Sequence, residues 1–201
     1  MSNIITGYHF TGDTLRDGDP VPPLGEWLEH SGPVVPCQSG LHLSEHPFDA
    51  LQWAPGPILH RVELIGDLAS HGNPVDKWVG RRRRIIASVN ATEMLYEFAR
   101  WCALQVIDLW DAPSLVREYL ATGDELLRDA ASAAASDAAS DAAWAAAWAA
   151  ASDAAWDAAW DAAWAAARAA ARAAAWAAAW AAQRSRFAEM VDELFKEGGA
   201  E

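Results

Sequence analysis

Basic residues are scarce in this chain: 15 Lys and Arg stand against 28 Asp and Glu, a formal charge of -13. That deficit argues against a nucleic-acid binder working by phosphate neutralisation, which needs a basic face, and no DNA partner is expected. The acidity itself is accounted for by solubility. Cysteine is almost missing, with only Cys37 and Cys102 in 201 residues, placed in different elements, so no disulfide framework is expected. The opening Met-Ser-Asn-Ile-Ile lacks a basic stretch leading into an apolar run, so a reducing, cytoplasmic setting is expected rather than secretion. Long uncharged apolar runs are lacking too. The best candidate, Ala162 to Ala182, carries Arg168 and Arg172 near its middle, which makes membrane insertion costly.

What the chain has instead is repetition. From Ser132 to Gln183 a four-residue unit recurs thirteen times, with Ser, Trp or Arg first, Asp or Ala second, and Ala third and fourth except at Gln183. Alanine has the highest helix propensity, so a long helix is predicted. At 100° per residue each four-residue step leaves the repeat position turned by about 40°, and the Trp row spirals around a straight helix in about nine repeats. A repeat longer than 3.6 residues favours right-handed supercoiling or several neighbouring helices. Trp144, Trp148, Trp156, Trp160, Trp164, Trp176 and Trp180 left in solvent would make a sticky surface, so self-association is expected.

Charge then gives that association a direction. Asp137, Asp141, Asp153, Asp157 and Asp161 lie in the first half of the repeat, and Arg168 and Arg172 in the second. Antiparallel pairing of two copies sets acid against base, whereas parallel pairing opposes like charges. Slippage of a twelve-base unit is the genetic alternative to selection for an interface. Beyond the repeat, Phe187, Met190, Val191, Leu194 and Phe195 form an amphipathic stripe suited to a partner helix.

Before Asp124 the composition is varied, and it divides the chain into a small domain over 1–122 and a repeat helix over 124–197. The expected fold class is α+β. Strands are predicted over Ile4–Phe10, Val34–Cys37, Leu41–Ser44, Ile58–Ile65 and Val79–Val89, bounded by Gly and Pro. A helix is predicted from Pro47 to Trp53, capped by Ser44 or His46. A second follows a capping box at Asn90 and Glu93, and a third starts at Pro113 and ends at Gly123.

Several residues carry possible chemistry. His42-Leu43-Ser44-Glu45-His46 matches the H-x-x-E-H pattern of one zinc peptidase class, but Gly40 before it and Pro47 after it keep the two histidines off one helical face. Cys37, His42 and His46 have no obvious fourth ligand, so no metal is expected. Arg81, Arg82, Arg83 and Arg84 lead into an apolar strand, where alternation sends two of them to each face. A phosphate-bearing or nucleotide ligand suits their guanidinium forks, and pairing with the chain's own acids is the plainer use.

The order Gly7-Tyr8-His9-Phe10-Thr11, Pro36-Cys37-Gln38-Ser39-Gly40-Leu41-His42, Pro47-Phe48-Asp49-Ala50 and Arg61-Val62-Glu63-Leu64 resembles an uncharacterised family of phage and bacterial proteins. In that family a small α/β domain with a Cys-x-Ser-Gly-x-His signature precedes low-complexity repeats. The resemblance covers the first ninety or so residues and implies a phage or bacterial origin without assigning an activity. A more distant likeness to the ADP-ribosyltransferase fold implies NAD as cofactor. It would place His9 and Thr11 in a first motif, His42 and Ser44 in a second, and Glu63 as catalytic carboxylate. Fold likeness does not carry function by itself. The expectation is therefore a non-enzymatic binding protein, without cofactor, that assembles with itself and engages a host protein or a nucleotide.

Overall fold

The computed structural model describes residues 3–109, 111–138 and 158–198, with the side chains of 109 and 158–176 outside that description. The fold is mixed α/β. Compactness groups the chain into two units, Met1–Leu95 with Arg184–Glu201, and Tyr96–Gln183. Composition changes near Asp124; compactness changes inside a helix some thirty residues earlier and again at the end of the repeat.

The described residues of the first unit form seven strands: β1 Ile5–Thr11, β2 Trp27–Glu29, β3 Leu41–Leu43, β4 Ile58–Ile65, β5 Ala69–His71, β6 Lys77–Gly80 and β7 Arg82–Asn90. They form two antiparallel sheets, in the orders β1-β4-β7-β2 and β3-β6-β5. In β4 the residues His60, Val62 and Leu64 share one face. Val62 and Leu64 bury there with Leu43 of the second sheet and Ile85 of β7, which makes this the inner face. Gly7 lets the two sheets touch: Tyr8 and Ser44 bridge backbone to backbone, and a Cβ on Gly7 would run into the Ser44 carbonyl oxygen.

The expected strand Val79–Val89 is two strands, because the chain changes sheets at Arg81. The Arg81 N–H donates to Ile65 and Gly66, and its guanidinium pairs with Asp67 at 2.6 Å, so the corner is held by its own charge. The expected strand Val34–Cys37 is a tight turn, with Val35 bridged to Ser39 and Cys37 at φ 62°. Prolines at 33 and 36 and Gly40 bracket it. Two edge strands that were not expected, β2 and β5, have three residues each, as does the expected edge strand β3.

Helix α1, Pro47–Leu51, starts at its proline, and His46 Nδ1 caps it by accepting from the Phe48 N–H at 3.2 Å. Helix α2, Thr92–Leu104, begins after an Asx turn in which Asn90 Oδ1 accepts from the Thr92 N–H at 2.9 Å. In the second unit, α3, Ser114–Thr122, ends at Gly123, whose φ of 69° is the left-handed cap predicted there. Asp124 caps a single 3-10 turn, and residues 128–138 continue as helix α4. Ile107, Ala112 and Val116 form the core of this unit, with Leu104, Leu120, Ala134 and Ala135 against them.

Helix α5, Ala158–Glu197, carries the end of the repeat and the apolar stripe after it. The stripe does not go to a partner helix. Phe187 and Val191 are fully buried in the first unit, Phe187 meets the Phe48 ring edge-on at 5.8 Å, and Arg184 pairs with Asp49. Arg61, on the outer face of β4, bonds Asp192 at 3.1 Å and lies over the Phe195 ring. The chain's last turns therefore cover its own first sheet.

Candidate functional site

A cleft of about 450 Å³ opens in the first unit, walled by residues of both sheets. β1 contributes Tyr8, His9, Phe10 and Thr11, β3 contributes Leu41, His42 and Leu43, and Lys77 and Arg83 come from β6 and β7. Arg16 and Asp17 lie in the loop after β1, Cys37 and Gln38 in the proline-bracketed turn, and Trp53 just beyond α1. The volume is that of a small-molecule site.

Two cations are sunk into this wall. Arg83 is 5% exposed; its Nη1 donates to the His42 carbonyl oxygen at 2.7 Å. Burial brings its pKa down to about 10, which leaves it charged at neutral pH. Lys77 is 7% exposed, with Nζ 3.5 Å from the centre of the Trp53 ring. Among the described residues no carboxylate pairs with either. Asp17 is the one carboxylate on the lining, and Arg16 sits exposed beside it. A buried charge without a carboxylate partner is costly to the fold.

The histidines are held neutral by the same surroundings. Burial, then Lys77 and Arg83, lower His42 to about 4, against a backbone hydrogen bond with Gly40. His42 Nε2 is buried without a hydrogen-bond partner. His9 lies well below its ordinary value through burial first, then Arg83, His60 and His42. His60, 1% exposed and also lowered to about 4 by burial, is fully bonded, Nε2 to Thr11 Oγ1 at 2.8 Å and Nδ1 to Ser88 Oγ at 2.7 Å. Thr11 donates to the Gly12 carbonyl, so it accepts from His60 Nε2–H, and Nδ1 accepts from the Ser88 hydroxyl. His60 braces the β1 side of the cleft and does not line it.

Strand alternation holds for Arg82, Arg83 and Arg84, but the expected division of two arginines to each face fails, because Arg81 lies outside the strand. Arg83 enters the cleft; Arg82 and Arg84 flank the Trp27 ring at 5.0 and 4.8 Å on the other face and pair with Glu29 and Glu63. Arg81 serves the sheet-to-sheet corner, donating also to the carbonyls of His30 and Gly32. His9 and His42 line the cleft together, but Glu63 alternates to the opposite face and is tied to Arg84 at 2.6 Å. Of the five residues of the ADP-ribosyltransferase likeness, His9, Thr11, His42 and Ser44 line the cleft and Glu63 does not join them. Cys37 is exposed on the cleft lining and His46 is the α1 cap, and among the described residues no group of three His, Cys, Asp or Glu is placed to hold a metal ion.

The residues expected to carry assembly lie mostly on the repeat. Trp144, Trp148, Trp156, Asp141, Asp153 and Asp157 lie outside the described residues, as do the side chains of Trp160, Asp161, Trp164, Arg168, Arg172 and Trp176. Asp137 is exposed on α4, and Trp180 is 40% exposed on α5. Among the described residues no helix is long and apolar enough to cross a membrane.

Sequence reasoning missed Lys77, Arg16, Tyr8 and Trp53 as site residues. A signal existed for Lys77: in Lys77-Trp78-Val79 it shares parity with Val79, so an inward Val79 implies an inward lysine. No comparable signal marks Arg16 or Trp53, which reach the cleft from loops. Residues 5–97 match the model of a family described as a Domain of unknown function (DUF7666), a stretch that contains every residue lining the cleft. No curated protein and no solved structure matches the chain.

Proposed function

We propose that this is a two-part binding protein, whose N-terminal domain captures a small anionic ligand in the cleft and whose repeat helix assembles copies of the chain. The observation that carries the first half is the pair Lys77 and Arg83, both more than nine-tenths buried on one cleft wall and both without a carboxylate among the described residues. A ligand anion supplies the missing countercharge, and charge-assisted hydrogen bonds in a low-dielectric cleft are the strong ones. Tyr8, Phe10, Leu28 and Trp53 give the same cleft an apolar lining for the rest of the ligand, which suits a nucleotide.

A purely electrostatic role for the whole arginine run is not supported, since three of its four members already have partners in the fold. Nor does the geometry favour NAD-dependent transfer, because Asp17 and not Glu63 is the carboxylate on the cleft lining that carries His9 and His42. Assembly is supported by the sequence of the repeat, its seven tryptophans and its split of Asp and Arg. The likeness to phage and bacterial proteins adds a setting, in which the assembled protein engages a host component.

Calorimetric titration of the full chain with AMP tests the ligand half. Binding is expected, and Arg83→Met or Lys77→Met should weaken it about tenfold or more, the cost of one charge-assisted bond. Unchanged affinity in both variants would remove the cleft from consideration.

A further inference from the structure

The second unit carries an apolar groove of about 300 Å³, lined by α3, by the turn after α2 and by α4. Its α4 wall is low because the tetrapeptide repeat begins there: Ser132 stands where later repeats carry Trp, and Ala131 and Ala135 line the groove beside it. The lining also holds Leu120 and Val106, and Val106 is 47% exposed. Trp180 of the same chain does not line this groove, yet it lies 40% exposed on α5. An apolar groove and an exposed indole on one chain are two surfaces that both gain by leaving water.

The repeat brings the two into register. When two copies pair antiparallel over the whole of Ser132–Gln183, residue 132 stands opposite 183, and Ala135 therefore stands opposite Trp180. Two-fold symmetry repeats the contact at the other end, so each copy gives one tryptophan and receives one. The charges agree with this register. Residues 124–141 carry Asp124, Glu125, Asp129, Asp137 and Asp141 against a single Arg128, and the exposed Asp129 and Asp137 have no ion pair among the described residues. Residues 162–188 carry Arg168, Arg172, Arg184 and Arg186 and no carboxylate. Arg184 is tied to Asp49 and Arg186 to Glu189, so Arg168 and Arg172 are the cations that face the other copy. Antiparallel overlap sets Arg172 opposite residue 143, two positions from Asp141, whereas parallel pairing would set like ends together.

We infer that the groove receives Trp180 of a second copy. This rests on the assembly reading above and assigns its contact: a hole at the head of the repeat and a knob at its tail. A buried indole N–H needs an acceptor, and the Ser132 hydroxyl on the lining supplies one.

Light scattering on the full chain over a dilution series tests the contact. The parent should have the mass of a dimer or larger, and Trp180→Ala should raise the dissociation constant about tenfold or more. Ala135→Phe fills the groove and should do the same. If circular dichroism shows that this variant does not fold, Ser132→Phe, at an exposed position of the lining, takes its place. An assembled parent whose mass neither substitution changes overturns the contact and leaves assembly to the other tryptophans. An effect of one substitution without the other overturns the match of knob to groove. A monomeric parent overturns both the contact and the assembly reading.

Discussion

Arg83 shows how a single residue can be placed for a ligand at the expense of the ligand-free fold. Its guanidinium is buried beside Lys77 with only a backbone carbonyl to receive it, and burial already depresses its pKa. Replacing a buried, uncompensated charge with an apolar side chain of similar length is often neutral or stabilising. Arg83→Met should accordingly leave the unfolding free energy without ligand within about 1 kcal/mol of the parent, or raise it, while it removes the thermal stabilisation by AMP. Urea titration and thermal melts measure the two effects separately, and a variant that loses both together would make Arg83 structural. The histidines give a pH dependence of definite sign. His60 and His42 titrate near 4 in the folded chain against 6.5 when unfolded, so between those values the unfolded chain binds more protons. Stability is therefore full above about pH 6.5 and is lost as pH falls through about 4. For the buried His60 the loss is on the order of 3 kcal/mol. Urea midpoints at several pH values should show it, with a smaller drop in His60→Asn. At this scale the sequence marked His9 and His42 through the resemblance and Arg83 as one of four arginines; it could not show that Glu63 turns away or that Lys77 has no carboxylate partner among the described residues, since both depend on what lies across the sheet.

Among the elements, β4 was the most legible, because burial from His60 to Ile65 alternates on a strand with both neighbours in place, and only Leu59, buried next to His60, departs from it. The split of the arginine-led strand at Arg81 was not legible: the apolar pattern runs straight through, and the break is made by backbone bonds to Ile65 and Gly66 fifteen or so residues earlier. The far end of α5 was half legible. Its stripe was plain from spacing, but its partner is the chain's own sheet, which an amphipathic pattern does not specify. Phe187 is the centre of that contact and has no exposed surface. Phe187→Ala should destabilise the first unit by about 3–5 kcal/mol, seen as an earlier urea transition. A drop below about 1 kcal/mol would mean that this end of the helix is only loosely attached.

For the whole molecule, the return of Arg184–Glu201 to the first unit changes how assembly must be tested. Cutting the chain at Gly123 removes the repeat and also the cover of the first sheet, so loss of oligomers in such a fragment would be ambiguous. Substitution within the full chain avoids this. Changing Trp144, Trp148 and Trp156 together to Ala should lower the mass measured by light scattering to that of a monomer while leaving AMP binding in place. Raised salt should weaken association as well, if acidic and basic halves face each other across an antiparallel pair. An unchanged mass in both experiments would end the assembly proposal. By itself the sequence determined the helical tendency of the alanine repeat, the arginine alternation and most strand and cap positions, because these depend on neighbours within a few residues. Only the tertiary structure decided that Arg83, Lys77 and His42 share one cleft, that Glu63 does not, and that the last helix closes over the first sheet. Those outcomes depend on pairings between residues up to 135 positions apart, as Asp49 and Arg184 are, and no local pattern encodes which distant surface will be met.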